Sequence, residues 1–248
     1  MIFRSFTRRY GQAYSSLIQD VRAYLEHCIE NEVDLSSTVF RGTFYELCVK
    51  RYLERHLHAK NLVKCGGAYD NGVDIMGQWN LLPLYEASHE LADVNSPDKL
   101  HARSLLKSAL ETKSEVKLKS KRSLSLANDI QLLVQCKNYK KRLSASVIRE
   151  LSGVMEYQKL AKRSTFMFIV SPHPITAQAV SQLDKSSYAL LSLSISPLTN
   201  GSMAHYHDFD SWRGGVLSSV YMNKNARNLL SGLYVEQQLG RLIINSNV

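Results

Sequence analysis

Long apolar runs are missing from this sequence. Nowhere do about eighteen uninterrupted apolar residues occur, so no membrane-spanning helix is expected. Cysteine is scarce, and Cys28, Cys48, Cys65 and Cys136 stand far apart with no CxxC pair. That spacing argues against a zinc ribbon or a disulfide framework and for four reduced, buried thiols. Proline and glycine are few, 5 and 12 in 248 residues, which excludes a collagenous or low-complexity chain. Acid is short too, 22 Asp and Glu against 31 Lys and Arg. The resulting formal charge of +9 suits a polyanionic partner, a nucleic acid or an anionic membrane surface.

The scarcity of acid is sharpest at the N-terminus, where none precedes Asp20 while Arg4, Arg8 and Arg9 alternate with hydroxyl residues. Residues 1–20 therefore read as a mitochondrial presequence, with the matrix as the expected destination. Removing those arginines would still leave a basic chain.

Hydrophobic residues, 44% of the sequence, are enough for one well-buried domain with additions. Val39, Phe40, Phe44, Leu47 and Cys48 recur at helical spacing behind Ser36 and Ser37, which predicts a helix from about Ser37 to His58. A Gly66-Gly67 turn precedes a short strand in which Val73 and Ile75 are expected on one side and Asp74 and Met76 on the other. Residues 83–128 read as an insertion, with a short helix in "LHARSLLKSAL" and then a lysine-rich polar stretch without core periodicity. A strand over Ile130 to Lys137 follows, then a helix from Ser144, a fully apolar strand at Thr165 to Val170, a helix in "ITAQAVSQL" and a strand in "YALLSLSI". This alternation implies an α/β sandwich of helices around a mixed central sheet over residues 21–196, with a C-terminal extension over residues 197–248 packed on it.

The strand "LLVQCKNYKK" carries the chemistry. Val134 and Cys136 point to one side, Gln135 and Lys137 to the other, so an amide and an ammonium share a face. Asp74 on the neighbouring strand and Glu46 on the first long helix can converge with them at one sheet edge. A carboxylate and an amide oxygen suit a hard divalent cation such as Mg²⁺ or Mn²⁺, and a lysine beside it can orient water or stabilise charge on a phosphate. Taken singly, an aspartate before an isoleucine is more often an edge residue, and a lysine ending a strand is more often merely solvated. The order and spacing of the full set make the signal specific.

"DNGVDI", then "VQCKNYKK", then "SASVIRELSGVM" resembles the Mrr-type branch of the PD-(D/E)XK restriction-endonuclease-like superfamily, over roughly Thr38 to Ile195. The resemblance includes an aromatic-Glu pair on the first helix, here Tyr45-Glu46. It implies a restriction-endonuclease-like fold and a metal-dependent DNA nuclease. Asp74, Gln135, Lys137 and Glu46 would be catalytic, with Asp74, Gln135 and Glu46 at the metal. Gln135 replaces the superfamily's usual acid, which changes the charge of the metal site. Lys140, Lys141 and Arg142, directly after the strand, are candidates for gripping phosphates. Asp70 is a weaker metal candidate, as are His205, His207 and Asp208, whose setting more often makes a surface turn. The alternative is an inactive nuclease fold that binds nucleic acid without cutting it. The oligomeric state is open, a homodimer being one option.

Overall fold

Ser37 accepts a hydrogen bond from Phe40 N at 3.1 Å and caps the long helix that organises one side of the protein. The computed structural model describes residues 18–65, 72–92, 100–114, 124–157, 160–200 and 208–245. Residues 1–17 of the expected presequence, Asp70, most of the lysine-rich stretch, His205 and His207 lie outside the described residues, whereas Gln19 and Asp20 are part of the fold.

Helix α1 is Val21–Glu30 and α2 is Thr38–His56, followed by strands β1 (Ala59–Lys64) and β2 (Ile75–Trp79). Two helices, α3 (Leu82–Ala92) and α4 (Leu105–Ser114), separate β2 from β3 (Gln131–Cys136). Then come α5 (Ala145–Tyr157), β4 (Thr165–Ser171), α6 (Ala177–Asp184) and β5 (Ala189–Ile195). The chain closes with β6 (Leu217–Met222), α7 (Lys224–Leu229) and α8 (Val235–Asn245).

All six strands form one sheet in the order β1 to β6. β2 runs antiparallel to both of its neighbours, β1 and β3, while β3, β4 and β5 run parallel and β6 returns antiparallel beside β5. The parallel pairs need crossovers, which α5 and α6 supply. Both helices pack on one face of the sheet, Ile148, Leu151, Met155, Ala179 and Leu183 meeting Leu133, Met167, Ile169 and Leu190. The other face holds the larger core, where Tyr45, Val49 and Leu53 of α2 pack on Ile75, Val134 and Phe168. Each such fully buried side chain contributes roughly 1.5–3 kcal/mol. β4 and β5 are covered on both sides, which is why their sequences are apolar or hydroxyl throughout.

Three details depart from the sequence expectation. Val73 does not share a side with Ile75: it packs in the α5–α6 core, while Ile75 faces α2. The regular strand starts only at Ile75, because the side chain of Asp74 bonds to the next strand's backbone and breaks the alternation before it. Next, β6 was not anticipated; Leu217 and Met222 enter the larger core, as do Leu229 and Leu239 of α7 and α8. Lastly, Leu84, Leu105, Leu106 and Leu126, between β2 and β3, belong to that same core.

Candidate active site

Antiparallel pairing sets Ile75 against Val134, so Asp74 arrives beside the end of β3. Its backbone N–H donates to Val134 O at 2.9 Å, and its carboxylate Oδ2 accepts the backbone N–H of Cys136 at 2.6 Å. A charged acceptor makes this one of the stronger bonds in the sheet. It also fixes the carboxylate at the residue that separates Gln135 from Lys137.

Gln135 is 1% exposed and sits on the α5–α6 face, opposite Val134 and Cys136 in the larger core. A Cβ added at Gly72 would lie 3.2 Å from its Nε2 and 3.6 Å from Val154 Cγ2, so Gly72 and α5 wall in the amide. Its Oε1 has no hydrogen-bond partner, alone among the buried side-chain nitrogen and oxygen atoms of the described residues. Such an unmet acceptor costs about 1–3 kcal/mol. An orphan of this kind marks where a water or cation ligand belongs.

Lys137 follows the last residue of β3 and is partly buried. Its N–H donates to Val170 O and its carbonyl accepts from Tyr139 N, both at 2.8 Å, which holds its backbone at the carboxyl end of a central strand. That end is where open α/β sheets bind ligands.

Glu46 reaches the region from α2, where its Oε2 lies 3.3 Å from Nζ of Lys64, a side chain only 5% exposed. Lys64 ends the edge strand β1, whose backbone N–H and carbonyl at this residue are met by the Gln19 amide at 2.7 and 3.3 Å. The buried Cys136 thiol is pushed well up from its ordinary value, first by burial and then by the charges of Asp74 and Glu46, with Lys137 opposing. Asp74, Glu46 and Lys137 therefore all act electrostatically on one buried thiol.

The neighbouring cations divide. Lys140 and Lys141 are exposed, whereas the Arg142 guanidinium donates to Pro174 O at 3.2 Å and Ile175 O at 2.8 Å and braces the loop before α6. Asp208 caps a short 3₁₀ turn, accepting from Asp210 N. Among the described residues no three His, Cys, Asp or Glu side chains are grouped as a metal cluster. The donors present are one carboxylate and one buried amide oxygen, a hard-oxygen set that fits Mg²⁺ keeping several waters better than zinc.

Sequence reasoning missed Lys64 and Gly72. Lys64 shares a strand face with buried Leu62, so its alternation carried the signal. Gly72 reads as turn chemistry in "DNG", and its closeness to Gln135 appears only in three dimensions.

The fold and the site define an α/β protein on a mixed six-stranded sheet, with Asp74 bonded to the end of the third strand between buried Gln135 and partly buried Lys137. Residues 37–230 match the family described as Required for respiratory growth protein 7, and the chain belongs to that family. It is 30% identical over 220 residues to "Required for respiratory growth protein 7, mitochondrial" of Candida glabrata, covering 86% of this chain and 83% of the relative. The protein of the same name from Eremothecium gossypii is 30% identical over 236 residues, 92% of this chain and 89% of its own. The one from Saccharomyces cerevisiae is 27% identical over 232 residues, 88% of each. The protein is mitochondrial, as these relatives are named. No solved structure matches it.

Proposed function

We propose that this protein is a metal-dependent nuclease with a restriction-endonuclease-like fold that hydrolyses phosphodiester bonds in mitochondrial DNA. Its part in respiratory growth would be upkeep of that genome. The observation that carries the reading is the buried, unpartnered Oε1 of Gln135, held next to the residue whose N–H binds the Asp74 carboxylate. A core that only needed to be stable would place an apolar side chain there. Asp74 and Gln135 supply two oxygens for Mg²⁺ or Mn²⁺, and bound metal would polarise a phosphate oxygen and make a water more acidic. Lys137 places its cation at the scissile phosphate, where negative charge grows in the transition state. Glu46, with one oxygen engaged by Lys64, adds negative field behind the metal position. Lys140 and Lys141 and the basic excess that remains without the presequence draw the polyanion in.

A second reading, nucleic-acid binding without cleavage, is favoured by one observation: among the described residues no three His, Cys, Asp or Glu side chains are grouped to hold a metal. The experiment that separates them is incubation of the purified protein with linear, branched and single-stranded DNA, with Mg²⁺ or Mn²⁺ or with chelator. Cutting that requires metal and disappears in Asp74→Ala supports the nuclease. Tight binding with no cutting on any substrate supports the second reading.

A further inference from the structure

A cavity of about 850 Å³ opens beside the candidate active site, between the start of α2, the end of β3 and the segment around Leu198 and Trp212. Both of its links to the site are covalent neighbours: Tyr45 precedes Glu46, and Asn138 follows Lys137, and both line the cavity. A group bound there lies beside the backbone that carries Lys137.

Aromatic rings back the cavity, Phe40 and Phe44 nearly fully buried and Trp212 partly exposed. Phe40 and Phe44 stack with centroids 5.2 Å apart, and the Trp212 ring tilts against Phe44 at 4.9 Å. The rest of the lining is largely polar, with Ser36, Thr199 and Asn200 beside four groups that carry charge or an amide. Asn138 Nδ2 donates to Arg41 O at 3.1 Å, which fixes the amide, and its Oδ1 has no partner among the described residues. Arg41 is exposed at the rim. Charge then narrows the ligand: Glu32 and Asp34 line the cavity against one guanidinium. Two carboxylates against one cation repel a phosphate but suit a neutral ring with amino and carbonyl edges. A flat heteroaromatic that stacks and offers donors and acceptors is a nucleobase.

We propose that this cavity receives an unpaired nucleobase from the strand whose phosphate lies at Lys137, so that the substrate is single-stranded or locally opened nucleic acid. The proposal rests on the nuclease reading for the position of that phosphate. Duplex without an extruded base would leave the cavity unused. The size falls within the usual range for small-ligand sites, roughly 300–1,000 Å³.

The test exploits the two tryptophans. Trp79 is fully buried between Phe166 and Phe168 in the main core, so Trp212 alone reports on the cavity. The full-length protein in chelator is titrated with a short single-stranded oligonucleotide, the same strand with one abasic position in every register, and the matching duplex. Tryptophan emission is read together with anisotropy of labelled DNA. The proposal expects quenching by the single strand that vanishes in Trp212→Phe. It also expects tighter binding of single strand than duplex by about tenfold, in line with base–aromatic stacking. Trp212→Ala should remove most of that preference while leaving duplex affinity within about twofold, and an abasic strand should bind the wild type as Trp212→Ala binds the intact one. Leu198→Phe, which fills the cavity without removing Trp212, should act in the same direction. A preference unchanged by both variants overturns the proposal, as does quenching that persists in Trp212→Phe or that grows with protein concentration alone. Metal-dependent cleavage is scored separately with Lys137→Ala. Loss of cleavage there with no cavity effect leaves the nuclease reading standing and ends this one. A Trp212-dependent single-strand preference without any cleavage keeps the base site and ends the nuclease reading.

Discussion

Replacing Gln135 by leucine should make the free protein more stable and abolish its response to metal. The side chain is 1% exposed and its Oε1 is unpartnered, so the folded state carries the desolvation of an acceptor that gains nothing in return. Leucine has similar bulk and no polar atom, and should recover about 1–3 kcal/mol in chelator, less whatever strain Gly72 and Val154 impose on a branched chain. Wild type should behave differently when Mg²⁺ is added. Ligand that binds only the folded state stabilises it by about 2.7 kcal/mol at a hundredfold excess over Kd. The added metal should therefore close the gap between the two proteins, since Gln135→Leu has lost an oxygen donor. Urea unfolding of both, with chelator and with Mg²⁺, gives all four free energies. A Gln135→Leu protein that is less stable than wild type in chelator and gains as much from Mg²⁺ would show that Oε1 is satisfied by ordered water and is no metal ligand.

Other outcomes follow from the same geometry. Gly72→Ala meets a positive φ of 76° and a contact of 3.2 Å to Gln135 Nε2, so it should cost about 1 kcal/mol or more and weaken any metal-induced stabilisation, read from the same unfolding curves. Lys64→Met removes the buried partner of Glu46 and should destabilise by roughly 3 kcal/mol, while Lys64→Met with Glu46→Leu should recover most of that loss in a double-mutant cycle. Burial pushes the thiols of Cys28, Cys48 and Cys136 and the hydroxyls of Tyr24, Tyr45 and Tyr52 upward, Tyr52 to about 12. The unfolded chain releases these protons first, from the ordinary values of 9.0 for the thiols and 10.0 for the phenols. Stability that is intact below about pH 9 should thus fall as pH rises toward the folded values, seen as a declining Tm, with partly exposed Cys65 the one thiol that reacts quickly with a disulfide reagent at neutral pH.

Much of this fold was legible because its signals are periodic. The α2 pattern behind Ser37, apart from Val39, which is exposed, the apolar runs of β4 and β5 and the α5 stripe of Ile148, Leu151 and Met155 each follow from one face meeting a core. β6 escaped because its sequence, "LSSVYM", alternates poorly and only Leu217 and Met222 are buried. The core role of Leu84, Leu105 and Leu106 escaped because α3 and α4 flank polar sequence that hides their stripes. At the site, the placing of Gln135 opposite Val134 and Cys136 follows from strand alternation alone. The turning of Asp74 onto the Cys136 N–H does not, since a side-chain bond to a neighbouring strand leaves no periodic trace. The same holds for the Glu46–Lys64 pair, whose members lie on different elements.

The central claim is that the end of β3 is built for phosphodiester chemistry, and Lys137→Ala tests it most directly. Lys137 should contribute more to the transition state than to bound DNA. Single-turnover cleavage in Mg²⁺ or Mn²⁺, with wild type and variant purified identically, should show a rate lower by about a hundredfold or more while DNA affinity shifts by less than about tenfold. Equal cleavage by wild type and Lys137→Ala, or a loss confined to affinity, would contradict it.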